Sequence, residues 1–158
     1  MARNTSRHEI AIENCQRKVP LRLQRFENFL RRCAKEIGLS RDAVFVRFVT
    51  DREMARLNGK YRRKPKTTDV LSFPSEQRTR PASLRRQARL TRGYFLGDIA
   101  ISPVVARGNA QHLSRTFEQE ICVLILHGLL HLLGYDHETD QGGMERVEAK
   151  LRRRLRLA

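Results

Sequence analysis

The chain has 158 residues and carries 32 Lys and Arg against 17 Asp and Glu, a net charge of +15. That length fits a single domain, 1–158, with a real core. No run approaches the roughly 18 apolar residues of a membrane span, and the N-terminus lacks the apolar stretch of a signal peptide. Cys15, Cys33 and Cys122 are odd in number and form no Cys-x-x-Cys, so they read as the reduced thiols of a cytoplasmic protein. The excess of positive charge, mostly arginine, favours a polyanionic partner such as a nucleic acid without choosing between DNA and RNA.

Residues 1–7 read as a disordered polar tail, followed by a short strand near His8–Asn14, where Ile10 and Ile12 alternate with more polar neighbours. Pro20 opens a helix whose stripe is Leu23, Phe26, Leu30, Cys33 and Ile37, and Gly38 closes it. Alternation of Val44, Val46 and Phe48 predicts a second strand over Ala43–Val49. Thr50-Asp51-Arg52-Glu53 is a capping box, and the helix it opens gives out near Asn58-Gly59. A basic loop, Lys60 to Lys66, follows with five positive charges in seven residues. Arg63 and Lys64 are its phosphate-binding candidates, and Tyr61 offers a ring for a base to stack on.

A third strand spans Asp69–Phe73, and 75–93 reads as a basic loop with at most one helical turn near Leu84–Leu90. Arg85, Arg86 and Arg89 are further nucleic-acid-binding candidates there. Phe95–Ile101 is the fourth strand, and Ser102-Pro103 caps a helix reaching about His112. An apolar helix covers roughly Thr116–Leu133, the most buried in the chain by composition. After the polar turn Glu138–Gly143, a last amphipathic helix carries Met144, Val147, Leu151 and Leu155 inward. The expected fold is thus one α+β domain, a small four-stranded sheet packed with about five helices.

Chemistry concentrates at His127-Gly128-Leu129-Leu130-His131-Leu132-Leu133-Gly134-Tyr135-Asp136-His137. His127 and His131 stand one turn apart on one helix face, and a reversal at Gly134 returns His137 as a third ligand. Three imidazoles leave one tetrahedral position open, as in a catalytic zinc site and unlike a closed structural one. A zinc-like ion there lowers the pKa of a bound water to about 7. Gly128 stands where His-Glu-x-x-His peptidases carry their general base, so a peptidase mechanism lacks its proton acceptor. Asp136 has two readings, accepting the free N–H of a ligand imidazole or capping the turn. Glu120 reads as a first-turn acid favoured by the helix dipole, not as a base. His8 and His112 lie outside every motif.

The stretch His127–His137, including the spacers Gly128, Leu132, Gly134, Tyr135 and Asp136, resembles the signature of the YbeY family of bacterial metal-dependent endoribonucleases. Leu57–Arg62 leading into Thr68–Pro74, and Leu96–Ser102, resemble the same family and follow in its order. This resemblance implies a single-strand-specific endoribonuclease with one Zn2+ per chain and no small-molecule cofactor. It also implies ribosomal RNA and the small ribosomal subunit as partners, with roles in 16S rRNA 3′-end maturation and ribosome quality control. Arg62 is by resemblance the functional arginine. Two rival readings are a zinc peptidase-like hydrolase and a non-catalytic ribosome assembly factor stabilised by its metal.

Overall fold

The computed structural model describes residues 10–39, 42–76 and 95–157. The tail at 1–7 and residues 77–93 of the basic loop, with Arg85, Arg86 and Arg89, lie outside them. Four strands, β1 (Ile10–Asn14), β2 (Ala43–Phe48), β3 (Val70–Pro74) and β4 (Phe95–Ile101), form one sheet in the order β1-β2-β4-β3. β1 and β4 both run parallel to β2, and β3 is antiparallel to β4 at the sheet's edge. Among the described residues, five helices accompany it: α1 (Leu23–Ile37), α2 (Asp51–Arg62), α3 (Pro103–His112), α4 (Phe117–Leu132) and α5 (Gly143–Arg154). The expected α+β domain is what forms.

Helix ends follow the local chemistry of the sequence. Thr50 caps α2 by accepting the Glu53 N–H, but Glu53 turns outward to Arg56 and so forms only half of the expected box. Ser102, with Pro103 behind it, caps α3, and Thr116 with Gln119 closes a full capping box on α4. Gly38 ends α1 in the left-handed conformation.

Two helix boundaries differ from expectation: α1 begins at Leu23 and leaves Pro20 outside it, and α2 runs further than predicted. α2 passes through Gly59 and ends only at Arg62, so Lys60, Tyr61 and Arg62 are helical and the basic loop is shorter. Gly59 serves a close approach, since a Cβ there would sit 3.3 Å from Pro65 Cα. The Asn58 amide donates to the Lys66 carbonyl at 2.8 Å, folding the chain after α2 back along the helix. Local contact with Pro65 and Lys66 thereby outweighs the weak helix propensity of glycine.

The core lies between one sheet face and the helices α1 and α4. Phe26, Leu30, Val46, Phe48, Ile99, Ile101, Ile125 and Leu129 are all essentially inaccessible there. α4 is apolar nearly all round and buried from Glu120 to Leu126 and again from Gly128 to Leu130. A smaller cluster on the opposite sheet face joins Met54 of α2 to Val49, Leu71 and Ala100.

Two glycines set how closely β3, β4 and α4 approach. Gly128 presses against the sheet: a Cβ would lie 2.8 Å from Ile99 Cγ2, and the Ser72 hydroxyl donates to the Gly128 carbonyl at 3.1 Å. Gly97 follows a register shift where β4 bulges beside β2, and its φ is +143°. A Cβ at Gly97 would run into the end of the Leu132 side chain and into the Phe73 backbone carbonyl, which cannot yield. Gly97→Ala should therefore cost about 3 kcal/mol or more, backbone strain adding to overpacking. A denaturant midpoint within error of the parent protein would refute that account.

Candidate metal and catalytic site

The three histidines converge as the spacing predicts. His127 and His131 leave one face of α4, which hydrophobic burial holds rigid, and the helix ends as Gly134 takes φ +104°. Tyr135 N–H then donates to the Leu130 carbonyl, closing the reversal that brings His137 back. His131 Nε2 and His137 Nε2 lie 3.1 and 3.4 Å from His127 Nε2. Nitrogens bound tetrahedrally at about 2.0–2.1 Å stand about 3.3 Å from one another, so these three imidazoles fit a zinc-like ion. All three ligand atoms fall within 4.8 Å of one another.

Each imidazole has its own support. His127 Nδ1 lies 3.1 Å from Glu148 Oε2 of α5. A carboxylate only accepts, so Nδ1 carries the proton and the Nε2 lone pair is left for an ion. Burial lowers the pKa of His131, and the neighbouring His127 and His137 lower it further, against a backbone hydrogen bond at Tyr135. Arg62 adds to the lowering, which places its charge within reach of the cluster. His131 is thus held in the neutral form that can bind metal. His137 stacks on His127 with ring centroids 4.9 Å apart and remains exposed.

Of the two roles open to Asp136, the carboxylate takes the turn-capping one: Oδ1 accepts the Glu138 N–H at 3.0 Å. The imidazole partner is Glu148 instead, which sequence reasoning missed because it lies 21 residues from His127. A signal was present. Glu148 falls on the stripe with Met144 and Leu151, so the last helix carries a carboxylate on its inward face. Burial works to raise the Glu148 carboxyl, but the His127 hydrogen bond and the nearby charges outweigh it and leave the pKa lowered. Removing such support typically weakens metal affinity about 10–100-fold. Glu148→Gln should therefore bind zinc on the order of tenfold more weakly in competition with a chelator. Unaltered affinity would dismiss Glu148 as a ligand support.

Opposite the histidines, the cleft of about 620 Å³ is lined by Arg62 and Lys64 from the end of α2, and by Thr68, Asp69 and Ser72 around β3. Asp69 is tied down, accepting the Val70 N–H and the Asn109 amide, so it orders the approach to β3. Arg63 takes the left-handed position that ends α2 and lines neither this cleft nor the neighbouring groove. Tyr61 also stays out of the metal cleft; its exposed ring sits edge-on to Phe73 at 5.0 Å. Glu120 is buried and paired to Arg115 at 2.8 Å, a structural bond at the start of α4. Gly128 faces Ile99 and Ser72, so no general base fits at the position where a peptidase would need one.

A family profile described as Endoribonuclease YbeY matches residues 9–156, nearly the whole chain. The chain belongs to the endoribonuclease YbeY family. Among similar proteins, the endoribonuclease YbeY of Solibacter usitatus is 43% identical over 144 residues, covering 89% of this chain and 86% of that protein. The Aquifex aeolicus endoribonuclease YbeY is 36% identical, with 88% and 83% covered. A solution structure from Thermotoga maritima superposes with a TM-score of 0.60 at 28% identity, over 90% of this chain and 85% of that one. As a YbeY family member, the chain is a nuclease, a hydrolase acting on RNA. Within that YbeY framework, the histidine cluster and Arg62 line the same cleft.

Proposed function

We propose that this protein is a single-strand-specific, zinc-dependent endoribonuclease that matures the 3′ end of 16S rRNA on the small ribosomal subunit and serves ribosome quality control. The observation that carries the reading is the convergence of His127, His131 and His137 opposite Arg62 and Lys64 in one cleft of a chain with net charge +15. His127, His131 and His137 would hold the ion, and Glu148 would fix the His127 tautomer. A zinc-like ion supplies Lewis acidity at neutral pH. Arg62 is suited to a scissile phosphate: its planar fork matches two oxygens, and its fixed charge meets negative charge as it develops. Lys64 and the basic surface draw in the flanking phosphates.

A cytoplasmic setting is supported by the thiols. Cys33 and Cys122 are buried and unbonded, and burial pushes both thiols upward, away from reactivity. Among the described residues, no helix is long and apolar enough to cross a membrane.

The test is cleavage of a single-stranded RNA carrying the 16S 3′-terminal precursor sequence, against the same sequence annealed to its complement. Cutting of the single strand alone, stopped by a chelator and restored by zinc, is the expected result. A protein that holds its zinc and binds this RNA but never cuts it would be an assembly factor. Restoration by magnesium but not zinc would overturn the choice of metal.

A further inference from the structure

The motif Leu96–Ser102 contributes nothing to the histidine cleft, yet one of its residues is an awkward choice for a strand. Asp98 lies in the middle of β4, paired across the sheet with Phe45 on one side and Phe73 on the other. Acidic residues are disfavoured in strands, and Asp98 holds an exposed carboxylate on the sheet face that also carries Phe45 and Phe73. Among the described residues, its carboxylate has no hydrogen bond and no close ion pair. Arg47, the neighbouring cation, instead reaches Glu13 at 3.4 Å. Desolvation raises the Asp98 carboxyl from its ordinary value, against an opposing pull from Arg47. Among the described residues the side chain caps nothing and braces nothing, so its exposed carboxylate is free to meet a ligand.

Asp98 lines a second groove of about 580 Å³ on the sheet face away from the main core, together with Arg47, Tyr61, Leu71 and Phe73. Arg62 and Ser72 line both this groove and the histidine cleft, so the two adjoin around β3 at the sheet edge. Arg62 is the shared wall by which a strand at the cleft would reach the groove. Tyr61 is 57% exposed, its ring steadied edge-on by Phe73 and attended by Lys60 Nζ at 5.1 Å from its centroid. Arg47 and Arg62 supply positive charge along the walls for the backbone.

We propose that this groove is a nucleobase pocket, in which an unpaired guanine next to the scissile phosphate stacks on Tyr61 and donates its N1–H and N2–H to the Asp98 carboxylate. The inference rests on the endoribonuclease reading and adds a sequence preference to it. An ionised carboxylate has two acceptor oxygens and no donor. Guanine alone offers two adjacent donors on its Watson–Crick edge. Adenine and cytosine place an acceptor beside their single amine, and uracil flanks its one N–H with two carbonyls. Single-stranded RNA leaves that edge available for reading, and stacking on an aromatic ring is the usual partner of such contacts.

The experiment uses the zinc-loaded protein and three short, end-labelled oligouridylates carrying guanosine, inosine or uridine at one central position. Inosine differs from guanosine only by the missing N2 amine. Fluorescence anisotropy, read at low temperature before turnover, should show guanosine binding about tenfold more tightly than inosine, the loss of one bond to a charged acceptor. Uridine should bind more weakly still. Asp98→Asn should bind all three alike, and Tyr61→Leu should weaken all three together. On the same RNAs, cuts by the parent protein should fall at a fixed distance from guanosine and scatter in Asp98→Asn.

Equal binding of the three RNAs by the parent protein overturns the proposal, whatever happens to Asp98→Asn. Guanosine preference retained in a folded Asp98→Asn overturns it too. Discrimination without any cleavage would leave the pocket standing and sink the nuclease reading, and cleavage without discrimination would do the reverse.

Discussion

His131→Ala should emerge from purification without its metal and should not cut RNA at all. The variant keeps His127 and His137, whose Nε2 atoms are 3.4 Å apart, but two imidazoles do not hold zinc against buffer and water. His131 is the ligand on which both geometry and electrostatics converge, sitting in the last turn of the rigid α4 with its pKa lowered by burial. Elemental analysis of the purified variant decides the matter: a full equivalent of zinc would mean the ligand set is wrong. A second readout is stability. An ion that binds only the folded chain stabilises it by mass action, so chelator should lower the melting temperature of the parent protein and leave His131→Ala unmoved.

Arg62→Ala should do something different, keeping its zinc and losing its chemistry. Among so many positive charges, one phosphate contact fewer should weaken RNA binding only a few-fold. A preorganised donor aimed at charge that appears in the transition state is another matter, and its loss typically costs about 10²–10³ in rate. Single-turnover cleavage on the order of a hundredfold slower, with binding nearly intact, is the expected signature. Lysine at this position should rescue only part of the rate, since it returns the charge without the planar fork. A variant that cut at the parent rate but bound poorly would move Arg62 out of catalysis and into the phosphate-binding surface.

The sequence disclosed the parts of this protein whose causes are local. Four-residue spacing puts His127 and His131 on one helix face, and a glycine at 134 permits the left-handed turn that returns His137. Both statements need only a few neighbouring residues. Strand alternation likewise located β1 and β2, and the caps at Thr50 and Ser102 marked where two helices begin. What stayed hidden depends on residues far apart in the chain. The edge position of β3 is decided by antiparallel pairing with β4, which no local pattern encodes. The true end of α2 depends on Pro65 and Lys66 folding back on Gly59 and Asn58. Glu148 reaches His127 only because α5 docks on α4, and the turn bond of Asp136 could not be told from a ligand-supporting one in advance.

The three histidines stand on unequal ground. Two belong to a helix locked into the core, whereas His137 is exposed in the polar turn beyond Gly134. For an ion held as proposed, release need not wait for the domain to unfold: a local opening of the turn detaches the third arm and leaves a weak two-armed hold. Exchange then runs at the pace of a surface loop, while full affinity still needs all three imidazoles, two of them half-buried on α4. Substitutions in 138–142 would alter how fast the protein trades its ion with the surroundings without altering which ion it prefers.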